Sequence, residues 1–374
     1  MQCYSAYIIL APVDDFIPGA IYIQEVNLNH YMDIAISMAK LAIGQTGMNP
    51  PVGAVIVKNG RIIGTGSHLK SGEMHAELAA LQACIEDPEG ADIYVTLEPC
   101  SHHGKTPPCT DAIIESGIKR VYYAYKDNND KVSGIQKLSA HGIEVIYSRH
   151  EAASELYRPF NIRLMNKRPY ITLKCAQTLD GKIARQNGDS HWVSNSESRR
   201  DVHQIRQLHD GILIGAGTLI ADDPLLTVRL FDNDKQPIPI VLLGSKVLNQ
   251  SLNLLKHPVQ PIVFTTNEEN LKFKDTFKVY VGNYTLTEIL TILIEENVSS
   301  VLVEGGTTVH TQFINENLFD DLIIYIAPKI FGYSKYQLHS GVLDTHDGLI
   351  LQNVEKLESD IKLTYRRTRQ CLQD

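Results

Sequence analysis

Four residues between positions 75 and 109 have the types and order of a catalytic metal centre: His75, Glu77, Cys100 and Cys109. One imidazole and two thiolates are three ligands suited to zinc, and a site with three protein ligands keeps its fourth position open for water. A purely structural zinc site would close that position with a fourth residue. Glu77 follows the ligand His75 by two positions, so on a helix the two side chains diverge. That arrangement suits a carboxylate that carries protons beside the metal instead of binding it. The alternative is a pair of buried cysteines and an unrelated histidine.

His-x-Glu followed by Pro-Cys and a second Cys is the pattern of zinc nucleobase deaminases, in which the glutamate is the general acid and base. The usual motif separates its cysteines by two residues, whereas here Ser101 to Pro108 intervene. The filling is specific. Thr96-Leu97-Glu98-Pro99-Cys100-Ser101-His102 and Gly104-Lys105-Thr106-Pro107-Pro108-Cys109 resemble the deaminase half of the bifunctional riboflavin-biosynthesis deaminase–reductases. The resemblance implies one zinc per chain on His75, Cys100 and Cys109, with Glu77 catalytic. Asn49-Pro50 is similar to the family's Asn-Pro element, whose asparagine would hydrogen-bond the pyrimidine, although Gly47-Met48 departs from the usual Ser-Pro before it. His68, His102 and Lys105 fall at positions the family uses for substrate, where a cation would suit a ribosyl phosphate. Each also reads as a solvated loop residue.

The chain has 374 residues, 43% hydrophobic and 21% charged, which describes ordinary globular protein in two domains. A net charge of −8 and a pI near 6.0 argue against an extended nucleic-acid footprint, so no nucleic-acid partner is expected. With Cys100 and Cys109 given to metal, Cys3, Cys84, Cys175 and Cys371 lack a disulfide-scaffold pattern and read as thiols of a reducing, cytoplasmic compartment. No basic start precedes a continuous apolar core, and no stretch approaches a membrane span, so neither a signal peptide nor a membrane partner is expected.

The elements that must position these residues follow from patterning. Within residues 1–29, Ile8–Leu10 and Ile21–Ile23 read as short strands interrupted by Pro12 and Pro18, an extension of unknown role. Ile34, Met38 and Leu41 form a helical stripe. Val52–Val57 and Arg61–Gly66 form a hairpin across Asn59-Gly60. A helix from His75 to Cys84, a strand at Ile93–Leu97, a helix from Cys109 to Ser116, and strands at Val121–Ala124 and Ile143–Ile146 complete a first domain, 30–147. If Cys109 opens its helix, the N-terminal dipole favours its thiolate. Residues 148–168 read as a partly helical connector. A second domain, 169–374, then runs through strand Tyr170–Ala176, a helix opening after Ser194 or Ser196, and strands at Gly211–Ile214, Ile238–Leu243, Pro261–Phe264, Ser300–Val303 and Asp321–Ile326. Ile361–Arg369 alternates well and reads as an antiparallel edge strand. Strands alternating with helices mean an α/β architecture in both halves.

Gly215-x-Gly217 alone is a weak dinucleotide signal. Val303-Glu304-Gly305-Gly306-Thr307-Thr308 is a buried strand followed by glycines and hydroxyls opening a helix, which offers backbone N–H groups to a phosphate or merely turns the chain. The order of segments is more telling. Leu173-Lys174-x-Ala176, Leu179-Asp180-Gly181-Lys182-Ile183-Ala184, Ala221-Asp222-Asp223-Pro224 and Val303-Glu304-Gly305-Gly306 are similar to the riboflavin-pathway reductase. The resemblance spans about Tyr31 to Arg369. It implies a cytidine-deaminase-like three-layer domain followed by a dihydrofolate-reductase-like domain. It also implies that NADPH is bordered by Ala176, Trp192, Thr218, Asp222 and the run Gly306, Thr307, Thr308, Val309, His310, Thr311 and Gln312. Ser190, Arg206, Leu226, Arg229 and Glu304 would hold the substrate. Arg206 and Arg229 suit a phosphate because guanidinium offers a bidentate fork, whereas Trp192 also reads as core filling.

The activities so implied are zinc-dependent deamination of a diaminopyrimidine ribosyl phosphate, then NADPH-dependent reduction of its ribosyl group to ribityl, in a homo-oligomeric enzyme. Asp222 and Glu304 are the candidate acids of the reduction. Two rivals are a tRNA or nucleoside deaminase with an accessory domain and a nucleotide sensor without catalysis. The first would need a short Cys-x-x-Cys and, for tRNA, a basic face. The second leaves an intact Glu77 and three intact ligands unexplained.

Overall fold

The structure, a computed structural model, describes residues 20–101, 108–127, 134–190, 193–230, 235–341 and 348–368. Helix α1 (Ala20–Lys40) precedes the hairpin of β1 (Gly53–Lys58) and β2 (Arg61–Ser67). Asn59 and Gly60 turn that hairpin at φ 51° and 75°. Two successive positive φ values belong to the type I′ turn, which Asn-Gly favours because its twist matches that of paired strands. Next come α2 (Ala76–Gln82), β3 (Asp92–Val95), α3 (Cys109–Glu115), β4 (Arg120–Tyr123), α4 (Gly134–Ala140) and β5 (Glu144–Tyr147). The sheet runs β2-β1-β3-β4-β5, with β1 antiparallel to both its neighbours and β3, β4 and β5 parallel.

Alternation sorts this sheet into layers. Ala54, Ile56, Ile93, Val95 and Val121 meet Ala76, Ala80, Ile113 and Leu138 of α2, α3 and α4. On the other face Met32, Ala35, Ile36 and Ala39 of α1 are buried, with the Ala35 backbone against Gly53. Each fully buried aliphatic side chain contributes about 1.5–3 kcal/mol, so this apolar pattern holds the layers together. A Cβ on Gly66 would lie 2.2 Å from the Ala76 carbonyl oxygen. Only glycine lets the start of α2 rest on β2, and that start carries His75 and Glu77.

The second unit continues with α5 (Glu151–Asn166), β6 (Tyr170–Thr178), α6 (Ser196–Gln207), β7 (Gly211–Gly215), α7 (Ala216–Asp222) and β8 (Ile238–Gly244). It closes with β9 (Ile262–Thr265), β10 (Lys278–Val281), α8 (Leu286–Glu295), β11 (Ser300–Gly305), α9 (Thr307–Asn315), β12 (Asp321–Ala327), β13 (Leu349–Leu357) and β14 (Asp360–Arg367). Its sheet order is β10-β9-β8-β7-β11-β6-β12-β14-β13, parallel from β10 to β12 and antiparallel at β14 and β13. Helices α8 and α9 cover one face through Leu290, Leu293, Val309 and Phe313. The other face is covered by α6, through Val202 and Ile205, and by α7, through Leu219. The first unit gathers the chain up to Lys40, Val52–Ser67 and His75–Ser154; the second takes Leu41–Pro51, His68–Met74 and everything from Glu155 on. Among the described residues no helix is long and apolar enough to cross a membrane.

Four expectations change. The buried face of α1 is Met32, Ala35, Ile36 and Ala39, whereas Ile34 and Met38 are half-buried and Leu41 is exposed beyond the helix end. Ile21–Ile23 lies inside α1, not in a strand, and Ile8–Leu10 lies outside the described residues. Strand β14 is antiparallel as expected but sits between β12 and β13, and β13 is the edge. Asn195, rather than Ser194 or Ser196, caps α6, its side chain accepting the Ser198 N–H. Elements α4, α8, β10 and β13 add to those that patterning singles out. The connector 148–168 is mostly the helix α5, which carries Pro159 within it.

Candidate active sites

His75 is the N-cap of α2 and extended, at φ −71° and ψ 158°, so it stands outside the helix that Glu77 enters. This corrects the helical divergence of the two side chains. The bend from extended cap to helix turns both toward the same point. Cys109 opens α3, and its backbone N–H donates to the Cys100 sulfur at 3.4 Å. His75 Nδ1 lies 3.2 Å from Cys109 Sγ and 3.5 Å from Cys100 Sγ. For Zn–N and Zn–S bonds of ordinary length, a tetrahedral N···S edge is about 3.5 Å, so the three atoms fit one zinc ion. Among the described residues these three alone form a cluster of metal-ligating side chains.

The electrostatics suit a cation. The hydrogen bond from Cys109 outweighs burial and, with His75, holds the Cys100 thiol down at about 4, so it is a thiolate. The His75 pKa is raised, chiefly by its hydrogen bond to Cys100. Glu77 is 4% exposed, and burial followed by the Cys100 charge pushes its carboxyl up to about 7. A divalent ion on the three ligands would pull it back toward the carboxylate. Glu77 also lies within hydrogen-bonding reach of Cys109.

Of the residues expected to touch the pyrimidine substrate, Asn49 and His68 belong to segments that pack with the second unit. Asn49 is exposed and its Nδ2 donates to Ser71 Oγ at 3.5 Å. His68 is buried, with Nδ1 at 3.1 Å from the Met74 carbonyl. His102 and Lys105 lie outside the described residues.

The second unit contains a cleft of about 1460 Å³ at the carboxyl ends of its parallel strands, the usual ligand position in open α/β sheets. Its volume exceeds that of a typical single-ligand pocket, leaving room for a dinucleotide together with a substrate. Ala176, Thr218, Asp222, Gly306, Thr307, Thr308, Val309, His310 and Gln312 line it, as do Ser190, Arg206, Leu226, Arg229 and Glu304. Thr311 does not line it, and its Oγ1 accepts the Ser340 N–H at 2.9 Å. Trp192 lies outside the described residues. Gly306 caps α9 at φ 82°, and a Cβ on Gly305 would sit 2.9 Å from Thr218 Oγ1. Bare backbone at both positions leaves a cradle for a phosphate-bearing cofactor.

Partners inside the cleft distinguish residues that look alike in sequence. Arg206 is bound bidentately to Glu304, and its Nη1 donates to the Thr227 carbonyl at 3.1 Å. Burial raises the Glu304 pKa, but Arg206 and Lys174 outweigh it and leave the group at about 2. Bound by Arg206 through both oxygens, Glu304 is unsuited to be the acid of a reduction. Arg229 keeps its guanidinium without a hydrogen-bond partner among the described residues. Asp223 is held by Asn253, whose N–H donates to Oδ1 at 2.8 Å, whereas among the described residues Asp222 receives only the Ser190 hydroxyl, at 3.0 Å. Asp180 pins the 329–333 loop by accepting from the Gly332 N–H at 2.7 Å. Lys174 is a site residue the sequence reading left out, with Nζ 3.9 Å from Glu304 Oε2 at the cleft wall. The signal was present: a lysine, the one charged residue in a strand of a buried parallel sheet.

Comparisons with known proteins match both halves of the chain. The cytidine and deoxycytidylate deaminase zinc-binding region matches residues 26–125, and the RibD C-terminal domain matches residues 169–363. Riboflavin biosynthesis protein RibD of Aquifex aeolicus (strain VF5) is 42% identical over 355 residues, covering 92% of this chain and 99% of its own length. The chain belongs to the RibD family. RibD of Escherichia coli (strain K12) is 36% identical over 323 residues, 81% of this chain and 88% of that protein. The crystal structure of a diaminohydroxyphosphoribosylaminopyrimidine deaminase/5-amino-6-(5-phosphoribosylamino)uracil reductase from Thermotoga maritima superimposes with a TM-score of 0.87 at 37% identity, over 92% of this chain and all of that one. As a RibD family member, this chain is a bifunctional deaminase and reductase of riboflavin biosynthesis, with zinc in the first domain and NADPH in the second.

Proposed function

We propose that the first domain deaminates 2,5-diamino-6-ribosylamino-4(3H)-pyrimidinone 5′-phosphate and that the second reduces the product, 5-amino-6-(5-phosphoribosylamino)uracil, to its ribityl form. The observation that carries the reading is the convergence of His75 Nδ1 and the Cys100 and Cys109 sulfurs beside a buried Glu77. His75, Cys100 and Cys109 hold the zinc, which when bound supplies an acidified water at neutral pH. Glu77 takes the proton of that water and delivers it to the departing amine at C2, so a carbonyl replaces the amino group and ammonia leaves. Asn49, His68, His102 and Lys105 contact this substrate in the same reading.

In the second domain the cofactor supplies hydride to C1′. Ala176, Trp192, Thr218, Asp222 and the segment Gly306 to Gln312 border it, Thr311 within that segment standing back from the wall. Arg229 receives the 5′-phosphate, Ser190 and Leu226 shape the sugar's place, and the Arg206–Glu304 pair forms a fixed wall. With both Glu304 oxygens taken by Arg206, Asp222 is the other candidate proton donor.

The proposed domain limits are 30–147 and 169–374, with 148–168 as connector and 1–29 as extension; family matches at 26–125 and 169–363 support the division. The free thiols of Cys84 and Cys175 support a cytoplasmic setting. Homo-oligomeric assembly is supported by the β13 edge, where Ile350, Leu351 and Val354 are exposed. Sedimentation at several protein concentrations tests it. The function itself is tested by incubating the protein with the diaminopyrimidine phosphate, with and without NADPH, and weighing the products. Exchange of one amino group for a carbonyl oxygen, with water taken up and ammonia released, is the expected result without NADPH, and a further gain of two hydrogens with it.

A further inference from the structure

Helix α6 carries His203 and Arg206 three residues apart, hence on one face. Both grip the same short segment. Arg206 Nη1 donates to the Thr227 carbonyl at 3.1 Å, and the Arg229 N–H donates to His203 Nδ1 at 3.4 Å. Between them Gln236 takes both backbone groups of Val228, accepting its N–H at 2.7 Å and donating to its carbonyl at 2.9 Å. The segment leaves Leu226, a buried non-glycine residue at φ 55°. Such a conformation costs about 1–3 kcal/mol and persists only where its surroundings over-determine it. His203 is 5% exposed and lines the cleft. Burial, then the charges of Arg206 and Arg229, hold its pKa down at about 4, so the imidazole is neutral and Nδ1 is an acceptor. Arg229 lines the cleft too, and no salt bridge holds its guanidinium among the described residues.

We propose that His203 is a positioning residue of the reductase: by fixing the backbone of Arg229 it aims that guanidinium at the substrate's phosphate. The proposal rests on Arg229 being the phosphate-binding cation. His203→Leu removes the acceptor at similar size, whereas His203→Asn restores an oxygen one bond beyond Cγ, where Nδ1 stood. In the full-length zinc-loaded enzyme at saturating NADPH, His203→Leu should raise KM for 5-amino-6-(5-phosphoribosylamino)uracil about three- to tenfold with kcat nearly unchanged, the scale of one hydrogen bond. His203→Asn should recover most of that loss. The Leu effect should vanish with the substrate lacking its phosphate, and should add nothing to Arg229→Ala. An unchanged KM for NADPH serves as the folding control of the reductase domain. An unchanged KM in Arg229→Ala refutes the phosphate reading and takes this inference with it. If Arg229→Ala does raise KM, three results each overturn the aiming role alone: an inert His203→Leu, no rescue by His203→Asn, or full additivity with Arg229→Ala.

Discussion

Arg206 lays its guanidinium flat against Glu304, Nε to Oε1 at 2.5 Å and Nη2 to Oε2 at 2.8 Å, tying α6 to the carboxyl end of β11. Their side chains are only 11% and 9% exposed. Removing one partner of a buried pair strands the other charge, at a cost of about 3–5 kcal/mol, while replacing both by apolar groups is often near neutral. Glu304→Leu should therefore shift the urea midpoint strongly, and Arg206→Met/Glu304→Leu should recover most of the shift. Equal destabilisation by the single and double variants would show that the pair is not what holds this wall.

The same carboxylate sets an acid limit. Its pKa is about 2 in the fold against 4.5 ordinarily. As pH falls the unfolded chain takes up the proton first, so this stabilisation is complete above about pH 4.5 and is lost between there and pH 2. The shift corresponds to roughly 3 kcal/mol. Stability measured from pH 5 to 2.5 should fall less steeply in the Arg206→Met/Glu304→Leu variant than in the parent. Parallel curves would place the acid sensitivity elsewhere.

The metal site predicts about one zinc per chain. Cys109→Ala should lose most of the metal and all deaminase activity while still oxidising NADPH with the deaminated substrate. Metal analysis after dialysis checks it. Full zinc occupancy in that variant would show that Cys109 is not a ligand.

Glu77→Gln should keep its zinc, because the carboxylate stands beside the ligands, yet lose roughly 10²–10⁴-fold in ammonia release, the range of general acid/base groups. Normal deamination would assign the proton to another group. Loss of zinc would make Glu77 structural.

Arg229→Ala should spare ammonia release and weaken reduction. A lost charge-assisted bond to phosphate is worth about 1.5–3 kcal/mol, which is about ten- to hundredfold in kcat/KM. NADPH oxidation by purified Arg229→Ala and Glu77→Gln, each given the deaminated substrate, reads the separation directly. If Glu77→Gln stays folded and zinc-loaded but cannot oxidise NADPH, the two sites are not independent.

The sequence by itself determined the chemistry of the first site, the presence of two α/β halves and the family. Ligand character resides in side-chain type: His75, Cys100 and Cys109 are nitrogen and sulfur donors wherever they stand, and Glu77 brings a carboxyl group beside them. Hairpin β1–β2 was equally legible, because Asn59-Gly60 prefers one turn locally. Helix α8 had a readable start too, the capping box of Thr285 and Glu288, which periodicity alone passes over. What tertiary structure decided was which partner each of two similar residues takes. Arg206 and Arg229 are equivalent guanidinium groups in the sequence, and only a contact between residues 98 positions apart pairs the first with a carboxylate. Asp222 and Asp223 are adjacent carboxylates, distinguished by Asn253, which binds the second from thirty positions on. Strand β14 shows the same limit, since alternation records which face is buried but not which strand lies alongside. Local preference acts over a few residues, whereas charge pairing and strand order depend on distances that exist only once the chain has folded.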